Sequence, residues 1–242
     1  MAFEGARGWR VGPLEAGLKN MVALVLTTSR VHNVLAAAAF TRRAVREAQA
    51  YAGFRRAFGR ALLEHPLVAS SLSSLRLRAD RIEAGALATT DAWLRAAAHP
   101  EDREAQRWAR VLVSLAKAVA TRAAPSAVYE AMMVFGGNGI EERFCALPRL
   151  WRDAAILETW EGPYTLLLMQ ALSDMVRLGV RGEEEAFLRP HLGDQLDSVY
   201  VAELREILAA PEDPGAIERW GVLAPSLYRA FEAHALAQLT VS

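Results

Sequence analysis

The chain has 242 residues, and its 28 basic and 28 acidic side chains cancel, so it lacks the basic excess of a dedicated nucleic-acid binder. Hydrophobic residues make up 52% and charged residues 23%, which allows a sizeable buried core and excludes wholesale disorder. A single cysteine, Cys145, excludes an intrachain disulfide and fits a reducing compartment.

The first dozen residues, MAFEGARGWRVG, hold three glycines and predict a strand or extended arm. Pro13 then stands where a first helical turn tolerates it. A long proline-free helix is expected from Leu14 to about Ala52, with Gly53 ending it. Within it, the apolar stretch Val22–Leu26 is too short to cross a bilayer, and the alanine-rich Leu35–Phe40 runs into Arg42 and Arg43. No segment has the form of a targeting signal, so a cytoplasmic protein with no membrane association is expected.

A second helix is predicted from Pro66 to about Ala97. Its apolar positions Val68, Leu72, Leu75, Ala79, Ile82 and Ala86 alternate steps of four and three, the seam of antiparallel helices packed at a shallow angle. His99-Pro100 breaks it. A third helix begins near Glu101, buries Trp108, Val111, Leu115 and Val119, is kinked or restarted at Pro125, and continues to about Phe135. Gly136-Gly137-Asn138-Gly139 is a firm stop. A short helix around Leu147–Arg152 and a long one from Pro163 to Leu178 follow. Two or three more fill Glu183–Thr240. The expected architecture is all-α: an up-and-down four-helix bundle over residues 13–178, preceded by the arm 1–12 and followed by a smaller helical extension, 179–242.

Charge is unevenly spread. Nine arginines face three acids between Arg42 and Arg81, and ten acids face three arginines between Glu183 and Arg219. A phosphate-bearing ligand would suit the first region, because the guanidinium fork matches phosphate geometry. Charge alone favours solvated helix faces laced with salt bridges.

Metal-site spacing is absent: His32, His65, His99, His191 and His234 are isolated, and neither HExxH nor paired cysteines occur. Three clusters are locally odd. Phe54-Arg55-Arg56-Ala57-Phe58-Gly59 separates two helices with paired arginines beside aromatics. Phe135-Gly136-Gly137-Asn138-Gly139 places three glycines where backbone must turn sharply or approach something closely. Trp160-Glu161-Gly162 sets a carboxylate between an indole and a glycine, after the apolar Ala154–Leu157; a carboxylate against apolar surface loses hydration, which raises its pKa and makes it a better base near neutrality. Each cluster taken alone is also explained as a helix boundary.

The order of these clusters carries more. RRAFG, then SLAKAVA (Ser114–Ala120), then VFGGNG, then LPRLWRDAAILETWEG resembles the C-terminal domain of acyl-CoA dehydrogenases, which show R-x-x-F-G, F/L-G-G-x-G, an R-D pair and an aromatic-Glu-Gly at comparable intervals. The likeness covers Phe3 to Leu178. The remainder is more loosely similar to the helical extension of the alkylation-response branch, as is tryptophan rather than tyrosine at position 160.

The resemblance implies roles. Glu161 matches the base that removes the α-proton of an acyl-CoA thioester while the β-hydride passes to flavin, its backbone N–H helping to polarise the thioester carbonyl. Arg55 and Phe58 match residues contacting the FAD of a neighbouring subunit, the arginine through the diphosphate. Gly136, Gly137 and Gly139 match the loop beside its adenosine end. Arg30 matches an arginine near the CoA portion of the substrate. Arg152 and Asp153 match a pair whose expected part is structural, joined to each other or to neighbours. Two departures stand out. Pro163 and Tyr164 replace the threonine and small polar residue that usually touch the flavin. FEGARGWRVG resembles the last strand of the family's middle β-domain, so the chain is expected to be truncated at its N-terminus.

The implied function is an FAD-dependent oxidoreductase acting on the CH–CH bond of an acyl-CoA, as a homodimer or homotetramer whose N-terminal and β-domains come from a separate subunit. The alternative is a non-catalytic helical module derived from the family for self-association or partner binding. DNA-associated protection, by analogy with the alkylation-response branch, ranks last because an acidic extension repels phosphates.

Overall fold

Apolar side chains at helical spacing, separated by proline and glycine, leave the chain little choice but helices packed on helices. The computed structural model describes residues 4–241, and among them the regular structure is helical apart from one ribbon of two short strands. Met1–Phe3 of the expected arm lie outside the described residues; residues 4–11 have no helix or strand and are exposed.

The first long helix is built in three parts. A 3-10 turn, Leu14–Ala16, follows Pro13 and leads into α1 (Gly17–Asn20), a π-helical stretch Met21–Leu26 and α2 (Thr27–Phe54). The wide π turn is marked by Thr27 Oγ1 donating to the Val22 carbonyl five residues back, 3.1 Å. Gly53 does not end α2. Its φ is not positive, and the helix runs to Phe54 before Arg55 turns extended.

The segment Phe54–Gly59 does more than separate two helices. Strands β1 (Arg56–Ala57) and β2 (Arg60–Ala61) pair antiparallel around Phe58-Gly59, whose φ values of 50° and 84° supply the two left-handed residues of a type I′ turn. The Arg56 guanidinium donates to the Gly59 carbonyl at 2.7 Å, and His65 Nε2 lies 3.1 Å from the Ala57 carbonyl.

Helix α3 (Pro66–Ala98) buries Leu72, Leu75, Ala79, Ile82 and Ala86 of the predicted seam, with Val68 half-buried against the same core. Asp102 caps α4 (Arg103–Val134) by accepting from the Ala105 N–H at 3.0 Å, and α4 continues as one helix through Pro125. Its middle is buried on every face, from Trp108 to Thr121 with few gaps, because α2, α3, α5, α6 and α9 surround it. By length and composition α4 could span a membrane, but 78% of its most apolar window is buried within the fold. It is the central core helix.

Helix α4 stops where Gly136 enters the left-handed region at φ 60°, and Gly136–Gly139 form a 3-10 turn. Helix α5 (Leu147–Thr159) is twice as long as expected, because Ala154 and Leu157 extend the buried face begun by Leu147. Helices α6 (Tyr164–Arg177), α7 (Glu184–Leu192), α8 (Ser198–Ala209) and α9 (Pro214–Val241) complete the chain. Trp220 Nε1 on α9 donates to the Leu168 carbonyl of α6 at 2.7 Å, and Trp108 of α4 contacts Phe187 and Phe231 and stacks on His191, 4.0 Å between centroids. One hydrophobic core therefore runs from α2 through α9.

Candidate functional site

Glu161 sits in the turn between α5 and α6 with φ 56°, a left-handed conformation that costs a non-glycine residue about 1–2 kcal/mol. Gly162 follows at φ 110°, and a Cβ there would also crowd Leu167 Cδ2 at 3.1 Å. Two consecutive unusual backbone conformations need holding, and side chains from α2 and α4 do so. Ser29 Oγ donates to Glu161 Oε1 at 2.9 Å, and Arg30 Nε donates to the Glu161 carbonyl at 3.0 Å. From the central helix, Lys117 donates to the Gly162 carbonyl at 2.7 Å and the Glu158 carbonyl at 3.1 Å, bracketing Glu161 on both sides.

Lys117 is 0% exposed. Burial, with Arg30 adding repulsion, lowers its pKa to about 8 against the attraction of Glu158 and Glu161. Burial likewise lowers the pKa of Arg30, opposed by Glu161. Glu161 is therefore half-buried near a hydroxyl, a guanidinium and an ammonium, and the apolar setting expected from Ala154–Leu157 is corrected: Ala154 and Leu157 face the core and Ile156 is exposed. Arg30 also lines a cavity of about 360 Å³ together with Thr27, Trp93, Arg110, Val113 and Gln170; Glu161 is not among its lining residues.

The other predicted residues lie at the far end of α2. Arg30 and Arg55 are 25 positions apart, about 37 Å at 1.5 Å rise per residue. Arg55, Gly136 and Gly137 line one groove of about 770 Å³ with Tyr51, Phe135 and Asn138. Tyr51 stacks on Phe135 at 4.1 Å and accepts from Asn138 Nδ2 at 3.3 Å. A Cβ at Gly136 or Gly137 would meet nothing within 4 Å, so the backbone there is open to a ligand. Gly139 differs. It is buried, and a Cβ would fall 2.1 Å from the Met132 carbonyl oxygen, so the end of α4 demands this glycine. Phe58 stands at the ribbon tip, 96% exposed. The structure thus brings Glu161 and Arg30 together, and separately Arg55, Gly136 and Gly137.

Arg152 pairs with Glu142 rather than with Asp153. Among the described residues no group of three potential metal ligands occurs. The pairings of Ser29 with Glu161, and of Lys117 with the Glu158 and Gly162 carbonyls, cannot be foreseen from the sequence, because the partners are remote along the chain. The signals for Lys117 are its place in SLAKAVA and its rarity, as one of two lysines in a chain that otherwise uses arginine.

Residues 15–175 match the family described as acyl-CoA dehydrogenase, C-terminal domain. The putative acyl-CoA dehydrogenase AidB of Escherichia coli (strain K12) is 32% identical over 170 residues, 70% of this chain and 30% of that protein. Among solved structures, Bd2924 in its apo-form superposes with a TM-score of 0.79 at 26% identity, covering 95% of this chain and 44% of that one. Caenorhabditis elegans ACDH-11 in complex with C11-CoA gives 0.74 at 19% identity, covering 93% and 41%, a likeness of fold. The chain spans about a third of the length of the curated relatives it matches. Matched over two thirds of its length and carrying the aromatic-Glu-Gly turn on the family's helical scaffold, the chain belongs to the acyl-CoA dehydrogenase family.

Proposed function

We propose that the chain is the helical part of an FAD-dependent acyl-CoA dehydrogenase, with Glu161 as the base that takes the α-proton of an acyl-CoA thioester. The observation that carries this reading is the turn itself: a glutamate kept in a left-handed conformation where glycine would be cheaper, its carboxylate held by Ser29 and its backbone by Arg30 and Lys117. Strained backbone persists where the surrounding structure holds it, and it gathers at active sites and ligand clamps. Arg30, cationic and lining the adjacent cavity, is placed to meet an anionic portion of the substrate.

FAD, when bound, supplies the hydride acceptor, and the family uses it. The residues at the far end of α2 fit part of such a group: Arg55 offers a guanidinium to a diphosphate, and the open backbone at Gly136 and Gly137 admits a planar ring system beside Tyr51 and Phe135. About 37 Å along α2 is farther than one extended dinucleotide spans, so the two clusters of a single chain serve different FAD molecules. A homodimer or homotetramer follows, with Phe58 reaching into the neighbour. The remaining walls of each redox pocket belong to the parts of the family's fold outside these 242 residues, on the same or a separate polypeptide.

Purified protein is expected to bind FAD when those parts are present and to reduce it with an acyl-CoA. Glu161→Gln should abolish flavin bleaching by substrate while leaving the flavin spectrum and the helical circular dichroism unchanged. Undiminished bleaching in that variant would remove Glu161 from the role of base. Protein that stays colourless with FAD and its partner parts supplied would favour the non-catalytic module.

A further inference from the structure

The arginine-rich stretch between Arg42 and Arg81 divides into two fates. Arg42 is bound by Asp80 at 2.7 Å and by Glu83, and Arg43 by Glu47 at 2.6 Å, as solvated helix faces should be. Arg78 and Arg81 instead line a cleft of about 750 Å³ between α3, α4 and α9, where Arg122 of α4 and Arg229 of α9 join them. Two of these guanidiniums have counter-charges, Arg78 from Glu130 and Arg122 from Glu158. Arg81 and Arg229 form no ion pair among the described residues.

The carboxyl that stands beside both is Glu232, which lines the same cleft, is 6% exposed and leaves Oε1 without a hydrogen-bond partner. It packs over Gly85, where a Cβ would lie 2.6 Å from Glu232 Cγ. Burial raises its pKa to about 8 in spite of Arg229 and Arg81, so at neutral pH it carries a proton. A neutral acid cannot balance the two arginines, and it adds an O–H donor to the floor of the cleft. Two uncompensated guanidiniums from two helices, facing one concave surface, leave it positively charged and attract an anion.

We propose that the α3–α4–α9 cleft binds a small anion carrying two or more phosphate groups, held chiefly by Arg81 and Arg229. Guanidinium forks grip phosphate oxygens in pairs, and paired donors from two helices suit a diphosphate better than a single carboxylate. The cleft falls within the range of small-molecule sites, roughly 300–1,000 Å³, so a nucleoside diphosphate or triphosphate fits as well as inorganic pyrophosphate. It shares no lining residue with the groove at Arg55 and does not include Glu161, so the proposal is independent of the redox reading.

Isothermal titration of the whole chain with inorganic pyrophosphate and, separately, with ATP, each at low and physiological ionic strength, tests it. One saturable site per chain is expected, weakened by salt. The double variant Arg81→Gln/Arg229→Gln should lose about tenfold or more in affinity, while Arg103→Gln, outside the cleft, keeps it. Both arginines are exposed, so the double variant should retain its helical circular dichroism. ATP binding more tightly than pyrophosphate identifies the ligand as a nucleotide; equal affinity identifies the diphosphate alone. No saturable binding of either, or binding unchanged in the double variant, overturns the proposal. So does a short DNA duplex that outcompetes both anions through the same arginines, which would make the cleft a nucleic-acid surface.

Discussion

Lys117 illustrates how a single side chain can settle a turn it is not part of. Its ammonium reaches from the middle of α4 to two carbonyls flanking Glu161, and both would lose their donor in Lys117→Met. That variant is expected to be less stable by about 1–3 kcal/mol in urea denaturation, with faster amide exchange confined to residues 160–162. Uniform exchange across the chain would mean that Lys117 holds the core and not the turn. Glu232 gives a test of opposite sign. Its folded pKa of about 8 lies above the ordinary 4.5, so the native state binds the extra proton between those values. Its contribution is fully present below about pH 4.5 and is lost as pH rises through about 8. The gap corresponds to on the order of 5 kcal/mol. Glu232→Gln should therefore raise the melting temperature at pH 8.5 and change it little at pH 4.5. An equal shift at both pH values would contradict a buried, protonated acid.

At the scale of elements, boundaries set by local chemistry were legible in advance. Pro66 opens α3, the start of α4 falls beside Glu101 as expected, and Gly136 ends it, because each boundary is set by its own backbone or side chain. The four-three alternation on α3 correctly named its buried face. What stayed hidden depends on contacts made elsewhere. The π turn at Met21–Leu26 leaves no residue signature, Gly53 was free to be helical, and α5 grew because Ala154 and Leu157 found the core. The ribbon at residues 56–61 was missed because phenylalanine is a poor choice for a left-handed turn position. That misfit points to a use for its ring. Phe58→Asn supplies the residue a type I′ turn prefers, so the ribbon should persist while self-association weakens about tenfold in sedimentation experiments. Unaltered association would remove Phe58 from any interface.

For the molecule as a whole, zero net charge concealed a segregation that only packing gives meaning. The sequence-level counts located the arginines, yet which were neutralised depended on Asp80, Glu83 and Glu130 arriving from neighbouring turns and helices. The candidate site was half legible in the same sense. Glu161, Arg55 and the glycines stand in motifs that resemble the family's and Arg30 is implied by the same resemblance, whereas Ser29 and Lys117 meet their partners only across folded helices. Exposed apolar side chains at Trp9, Val11, Leu14 and Leu18 line the approach to α1 and α2, and such a run seeks cover. The length of α2 has a consequence for genetics. If each chain lends one end of that helix to its own reaction centre and the other to its neighbour's, two crippled proteins can rescue each other. Co-refolding Glu161→Gln with Arg55→Gln, each inactive alone, should restore activity to about one centre in four of a randomly mixed dimer, since half the dimers are mixed and each holds one intact centre.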